Sequence, residues 1–267
     1  MRTVIGFEAA KKLLLENRGL NLSDTASSIS KSSEKIFGRK MSALEYVETI
    51  INEVKVRGDE GLKGITKKIE GRDITQFYLD KDEPEKAYER IDESLRSALE
   101  STADRVKSFH SKVMDSAWTD ESEGYGLRAV PVTSAAAYIP GGTAKYPSTV
   151  LMTAIPAKVA GVSNVAIASP PTVSGLLPDS VLASAFIAGV DQIYPIGGAQ
   201  AIAALSYGTE SVQKVDVICG PGNIFVTLAK KLVYGDVGID GLIGDPTDDD
   251  EDCTGPQDKE CRQEDSI

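Results

Sequence analysis

Two hydrophobic rhythms divide the chain near Gly126. Before it, apolar residues recur every three or four positions. In Ser42–Val56 (SALEYVETIINEVKV), Leu44, Val47, Ile50, Ile51 and Val54 fall on one helical face. Arg57–Gly58–Asp59–Glu60–Gly61 breaks the pattern, and a second helix is predicted over Leu62–Ile69. Helices follow over Asp82–Tyr88 and Ile91–Val113, the latter with a stripe of Leu95, Leu99, Ala103 and Val106. The opening MRTVIGFEAAKKLLLENRG reads as one more amphipathic helix. Each has an apolar face to bury, and this half alone does not say against what.

Beyond Gly126, glycine, alanine and β-branched residues dominate, and short apolar runs alternate with helical ones. Strands are predicted at Leu127–Val130, Ala135–Ile139, Val165–Ser169, Gln192–Ile196 and Val215–Cys219. Helices are predicted at Val150–Gly161, Pro178–Ala188, Ala199–Ser206 and Ile224–Val233. Repeated strand–turn–helix units imply a parallel sheet with helices on its faces. The predicted fold is therefore α/β: a mainly helical region over 1–125, a Rossmann-like sheet with flanking helices over 126–244, and a tail over 245–267. That tail has no aliphatic residue before Ile267 and is too polar to offset its chain entropy, so it reads as disordered.

Charge sharpens the division. The 267 residues carry a net −11. Ten acidic residues against Lys259 and Arg262 place −8 of it between Gly244 and Ile267. An acidic balance without a basic, aromatic-laced patch argues against nucleic acid as a partner. No apolar run reaches the length of a membrane span, and the N-terminus lacks the apolar core and cleavage site of a secretory signal. Three cysteines (Cys219, Cys253, Cys261) are too few for a disulfide scaffold. A reduced, cytoplasmic protein is expected.

Three glycine turns carry the candidate chemistry. Tyr138–Ile139–Pro140–Gly141–Gly142 leads from a strand toward a helix, Gly197–Gly198–Ala199–Gln200 opens another, and Gly220–Pro221–Gly222–Asn223 opens a third. Glycines beyond a strand end allow close backbone approach, and a helix start attracts anions. The plainer readings stand beside this one. Tyr138 packs on a sheet edge in a tight connection, Gln200 is a good helix former, and Asn223 is a preferred N-cap. None of the turns has the GxGxxG spacing of a generic dinucleotide motif. Together they place three glycine turns on one edge of one sheet, a pattern suited to a nucleotide or cofactor. Elsewhere, His110 and Cys219 read as packed structural residues. Cys253 and Cys261 do not have the spacing of a zinc site, and Asp248–Asp252 reads as solvated charge.

From about Ser42 to Gly244 the chain resembles histidinol dehydrogenases. The resemblance rests on VRGDEGL, LESTADRVKSFH, GLRAVPVTSAAAYIPGG, VLMTAIPAKVAGV, GGAQ and YGTESVQKVDVICGPGN. It implies a homodimeric, zinc-dependent enzyme that oxidises L-histidinol to L-histidine with two NAD, through the aldehyde, as the last step of histidine biosynthesis. It also implies that Tyr138, Gln200 and Asn223 contact NAD. In the family a Ser or Thr after a Gly-Pro pair touches substrate. Here an Asp intervenes in Gly244–Asp245–Pro246–Thr247, and Thr247 is the nearest counterpart. The family's zinc ligands and its Glu–His acid–base pair lie beyond the stretch matched here, so no catalytic or metal residue is assigned. The resemblance makes 1–125 part of an incomplete domain with uncovered apolar faces, and the change at Asp245 is what a truncation or frame change would give. NAD binding without turnover is the expectation. A non-catalytic NAD-binding or interaction module, or one half of a split enzyme, are the alternatives.

Overall fold

The computed structural model describes residues 33–114, 117–141, 145–172 and 175–241, together with 6–8, 11 and 30. Most of the N-terminal helix predicted from the sequence, Gly142–Ala144 and the whole acidic tail lie outside the described residues. Contacts divide the chain into two units, 1–49 and 50–267.

In the first unit, a helical turn over 33–37 is followed by the start of α1 (Ala43–Glu70). Ser42 and Glu45 form a reciprocal cap. Glu45 Oε2 accepts from the Ser42 N–H at 2.8 Å, and Ser42 Oγ accepts from the Glu45 N–H at 3.3 Å. That bonding lowers the Glu45 pKa. The rings of Phe37 and Tyr46 meet edge-on at 5.6 Å.

The sequence predicts two helices either side of Arg57–Gly61, and the structure joins them across a kink at one non-helical residue, Gly58 (φ 56°, ψ −133°). Val47, Ile50, Ile51 and Val54 are buried as the periodicity requires. Leu44, in the first turn, is instead exposed.

In the second unit, α2 (Glu83–Arg90) and α3 (Glu93–Val113) follow, α3 capped by Asp92 accepting from the Leu95 N–H at 2.9 Å. β1 (Trp118–Asp120) and β2 (Tyr125–Leu127) form an antiparallel hairpin. The strand predicted over Leu127–Val130 is not formed. Leu127 ends β2, and residues 128–133 have no regular structure, consistent with Pro131, which cannot donate to a ladder.

Five strands then build one parallel sheet. β3 (Ser134–Tyr138), β4 (Asn164–Ala168), β5 (Gln192–Tyr194), β6 (Val217–Cys219) and β7 (Gly238–Ile239) stand in the order β5-β4-β3-β6-β7. The connecting helices are α4 (Pro147–Val159), α5 (Asp179–Ala188), α6 (Gly198–Tyr207) and α7 (Ile224–Val233). Strand alternation separates the two faces. Ala135, Ala137, Ile139, Val165, Ile167 and Ile193 pack with α4 and α5. Ala136, Tyr138, Ala166 and Ile218 point the other way, toward the side of α6 and α7.

The early helices α2 and α3 cover α4 and α5. Leu99, Ala103 and Val106 of α3 share one cluster with Leu151, Ala154 and Ile155 of α4. Ala87 of α2 sits among Val181, Leu182 and Ala185 of α5. Arg90 ties the layers at the surface, reaching Asp179 at 2.7 Å. Among the described residues no helix is long and apolar enough to cross a membrane.

Leu182, 1% exposed, lies between α2 and the sheet. Leu182→Ala is expected to lower stability by about 2–5 kcal/mol. The urea unfolding midpoint checks this, with the exposed Met152→Ala as a near-neutral control.

Candidate functional site

The sheet changes direction between β3 and β6: connections from β3 lead to β4 and β5, those from β6 to β7. In such sheets the crevice outside the carboxyl ends, at the change of direction, is where ligands bind. All three predicted turns leave the sheet at this edge, after β3, β5 and β6.

Tyr138 ends β3 and is 3% exposed. Its hydroxyl accepts from the Gly198 N–H at 3.1 Å, at the opening of α6. Its backbone lies against the turn after β6, where a Cβ added to Gly220 (φ 101°) would stand 2.2 Å from the Tyr138 carbonyl oxygen. Glycine at 220 is therefore imposed by the meeting of two chain segments. Gly141 and Gly197 show the same need. A Cβ on either would strike Pro170, at 2.6 and 2.5 Å. The proline after β4 nests between the turns after β3 and β5. The N-cap residues of α4 and α6, Tyr146 and Gly197, make no side-chain cap bond. At α6 the first N–H, that of Gly198, is taken instead by the Tyr138 hydroxyl, and both helix starts lie at this edge.

Gln200 is 2% exposed, in the first turn of α6, and its Nε2 donates to Glu70 Oε1 at 3.1 Å. Glu70, the last residue of α1, is held by Arg72 at 2.9 Å. The far end of α6 is also braced by α1. The Asp59 N–H donates to Glu210 Oε2 at 2.7 Å, while Asp59 Oδ2 accepts from the Ser211 hydroxyl at 2.5 Å. Burial alone would raise the Asp59 carboxyl. Hydrogen bonds from the Ser211 and Thr209 hydroxyls and the Ser211 N–H outweigh it and hold its pKa below the usual carboxylate range.

Asn223 is the N-cap of α7, its Oδ1 accepting from the Val226 N–H at 3.1 Å. Two helical turns further in, the Lys230 ammonium is 1% exposed and donates to the Gly220 carbonyl at 3.0 Å. It also pairs with Asp240, whose other oxygen accepts from the Gly220 N–H at 2.8 Å. Cys219 stands beside this pair. Burial, and then the Asp240 charge, push its thiol up to about 11, so at neutral pH it is protonated and no nucleophile.

The structure thus joins Tyr138 directly to the turn that carries Gln200 and sets Asn223 on the neighbouring β6 turn. His110 lies on α3, edge-on to Phe109 at 5.3 Å, remote in sequence from these turns. Gly142, Thr247, Cys253, Cys261 and Asp248–Asp252 lie outside the described residues. Among the described residues no three His, Cys, Asp or Glu side chains come together as a metal site would need, and these described residues do not fit zinc. The sequence reading missed Glu70, Lys230 and Asp240. Only Lys230 left a local signal, a lysine on the same helical face as Asn223 seven residues earlier.

Residues 35–248 match the family model for histidinol dehydrogenase. The chain belongs to the histidinol dehydrogenase family. It is 49% identical over 205 residues to the histidinol dehydrogenase of Methanococcus maripaludis, covering 75% of this chain and 48% of that protein. With that of Prochlorococcus marinus subsp. pastoris the identity is 47% over 201 residues, 74% of this chain and 47% of the relative. Among solved structures, histidinol dehydrogenase from Elizabethkingia anophelis superposes with a TM-score of 0.72 at 32% identity, over 81% of this chain and 52% of that one. The chain spans about half the length of the curated relatives it matches. The family match takes in α1 and the sheet alike, so the Asp59–Ser211 brace joins two family-matched runs, VRGDEGL and YGTESV.

A carboxyl with a depressed pKa stabilises the fold above its unfolded value and loses that contribution as pH falls through the folded one. At neutral pH, Asp59→Asn is expected to melt below the parent, with the gap closing below about pH 4. Thermal melts of both proteins from pH 7 to pH 3 check the sign.

Proposed function

We propose that the carboxyl edge of the sheet binds NAD through Tyr138, Gln200 and Asn223, as the cofactor-holding part of an enzyme that oxidises L-histidinol to L-histidine. The observation that carries the reading is the Tyr138 hydroxyl on the Gly198 N–H. It brings two family-matched turns together on the side of the sheet where α6 and α7 start.

Each side chain keeps something for a ligand. Asn223 spends Oδ1 on its cap, which leaves the two Nδ2 donors for an acceptor such as a phosphate or ribose oxygen. Gln200 spends Nε2 on Glu70, which fixes the amide and leaves Oε1 as an acceptor. The helix starts of α4 and α6 add positive dipole ends suited to a diphosphate. Tyr138, Gln200 and Asn223 would hold the NAD, which would supply the hydride acceptor for the alcohol carbon. The described residues hold and orient the dinucleotide. They supply no imidazole at this edge, because the single histidine is on α3. The zinc site and the second half of the homodimeric enzyme belong, on this reading, to chain that the match does not span. We read residues 1–125 as part of a domain completed there, 126–244 as the NAD-binding domain, and 245–267 as an appended acidic tail.

Calorimetric titration with NAD tests the assignment. The chain is expected to bind NAD, and Gln200→Ala and Asn223→Ser each to weaken it about tenfold or more. Serine at 223 keeps a helix cap while removing the carboxamide, so lost binding there is not lost folding. Absence of binding by the parent chain overturns the site. Histidinol-dependent NADH formation by this chain alone overturns its restriction to cofactor holding.

A further inference from the structure

Gly220 has both of its backbone polar groups held by charged side chains. Its N–H donates to Asp240 at 2.8 Å, and its carbonyl accepts from Lys230 at 3.0 Å. Lys230 and Asp240 also bond each other. The three form a closed triangle behind the turn that ends in Asn223.

Lys230 lies among apolar residues of α7 (Val226, Leu228, Ala229 and Val233 are all buried), and it is itself buried. Burying an ammonium group costs free energy even when it is paired, and an apolar side chain of similar shape serves a core at least as well. A lysine at this depth is therefore accounted for by what its head reaches, and it reaches the peptide that starts the turn. Asp240 follows β7, which the sequence reading did not assign as a strand, so the sheet's edge strand delivers the second half of the clamp. Gly220 stands at φ 101° with no room for a side chain against Tyr138. Two bonds to one such residue leave the turn a single orientation.

We infer that the Lys230–Asp240 pair is a positioning device for the dinucleotide site: it locks Gly220 so that Asn223 and the start of α7 face the ligand. This rests on the NAD reading above for its ligand, though not for its geometry. Lys230 and Asp240 are positioning residues, and neither touches the cofactor.

The test uses the full chain with Lys230→Met, Asp240→Asn and the double variant Lys230→Met/Asp240→Leu. Each single change strands one charge, so both single variants are expected to melt below the parent. The double variant removes both charges and is expected to regain most of the lost melting temperature. Its NAD dissociation constant, by calorimetry, is expected to stay about tenfold or more weaker. Backbone amide exchange at Gly220 is expected to be about a hundredfold faster, with the centre of α7 unchanged. Recovery of both melting and NAD affinity in the double variant, with slow exchange at Gly220, overturns the proposal and makes the pair a purely structural contact. If the parent chain binds no NAD, the functional reading falls, and exchange at Gly220 decides the clamp by itself. If the double variant does not fold, Asp240→Ala, which leaves no side-chain acceptor for the Gly220 N–H, carries the same exchange measurement, and parent-like protection of Gly220 there counts against the proposal.

Discussion

An atom added to the α-carbon of Gly220 would stand 2.2 Å from the Tyr138 carbonyl oxygen, so the chain leaving β6 must run in contact with the end of β3. That one close approach sets the geometry of the whole edge. It fixes the turn after β6 on one side of Tyr138, while the Tyr138 hydroxyl takes the Gly198 N–H on the other. Pro170 then occupies the space that Cβ atoms on Gly141 and Gly197 would need. Four connections thus converge on one short stretch. Glycines that read locally as an invitation to a ligand are required first by the chain itself. The proposed role of this edge gains from this, because turns held by their own packing lose little freedom when a ligand arrives.

The rest of the architecture supports that edge. A parallel sheet must be covered on both faces, and here the cover on one face is doubled: α4 and α5 lie on the strands, and α2 and α3 lie on α4 and α5. On the other face, α6 is gripped at both ends by α1, through Glu70 at Gln200 and through the Asp59–Ser211 and Glu210–Asp59 pair at its far end. Gly58 makes the second grip possible. A side chain there would strike the Glu210 carboxylate, at 2.5 Å from its Cβ, and the φ of 56° turns the Asp59 N–H toward it.

What the sequence disclosed follows from the range of the forces involved. Helix α7 is legible to the residue, Ile224–Val233, because an Asn cap and an apolar run are local signals. The break at Gly58 is legible for the same reason. The hairpin β1–β2 is not, since its strands are three residues each and no face of it is buried. Likewise β7 is two residues long and exists by pairing with β6. The site divides in the same way. Tyr138, Gln200 and Asn223 stand beside glycines at strand ends, but locally they read equally as a packed tyrosine, a helix former and an N-cap, and the family resemblance is what singles them out. Glu70 meets Gln200 across 130 positions, and no periodicity encodes such a meeting. Lys230 and Asp240 are ten residues apart, but they are joined only because β7 pairs with β6.

Burial is distributed unequally along the chain, and the inequality has a physical meaning. Around the sheet, Ile139, Val150, Leu151, Ile167 and Ile196 are wholly buried. From the end of α3 through the hairpin to the entry of β3, by contrast, Phe109, Val113, Met114, Trp118, Tyr125, Leu127, Val130 and Val132 are exposed. A two-stranded hairpin has little stability of its own, and here its main internal contact is the edge-on pair of Trp118 and Tyr125 at 5.8 Å. Hydrophobic free energy scales with the apolar area removed from water, so it is concentrated at the sheet and nearly absent from the hairpin. The hairpin is therefore the part of the second unit that opens at least cost. The edge carrying Tyr138, Gln200 and Asn223 draws on the sheet, and its order does not depend on the hairpin being held.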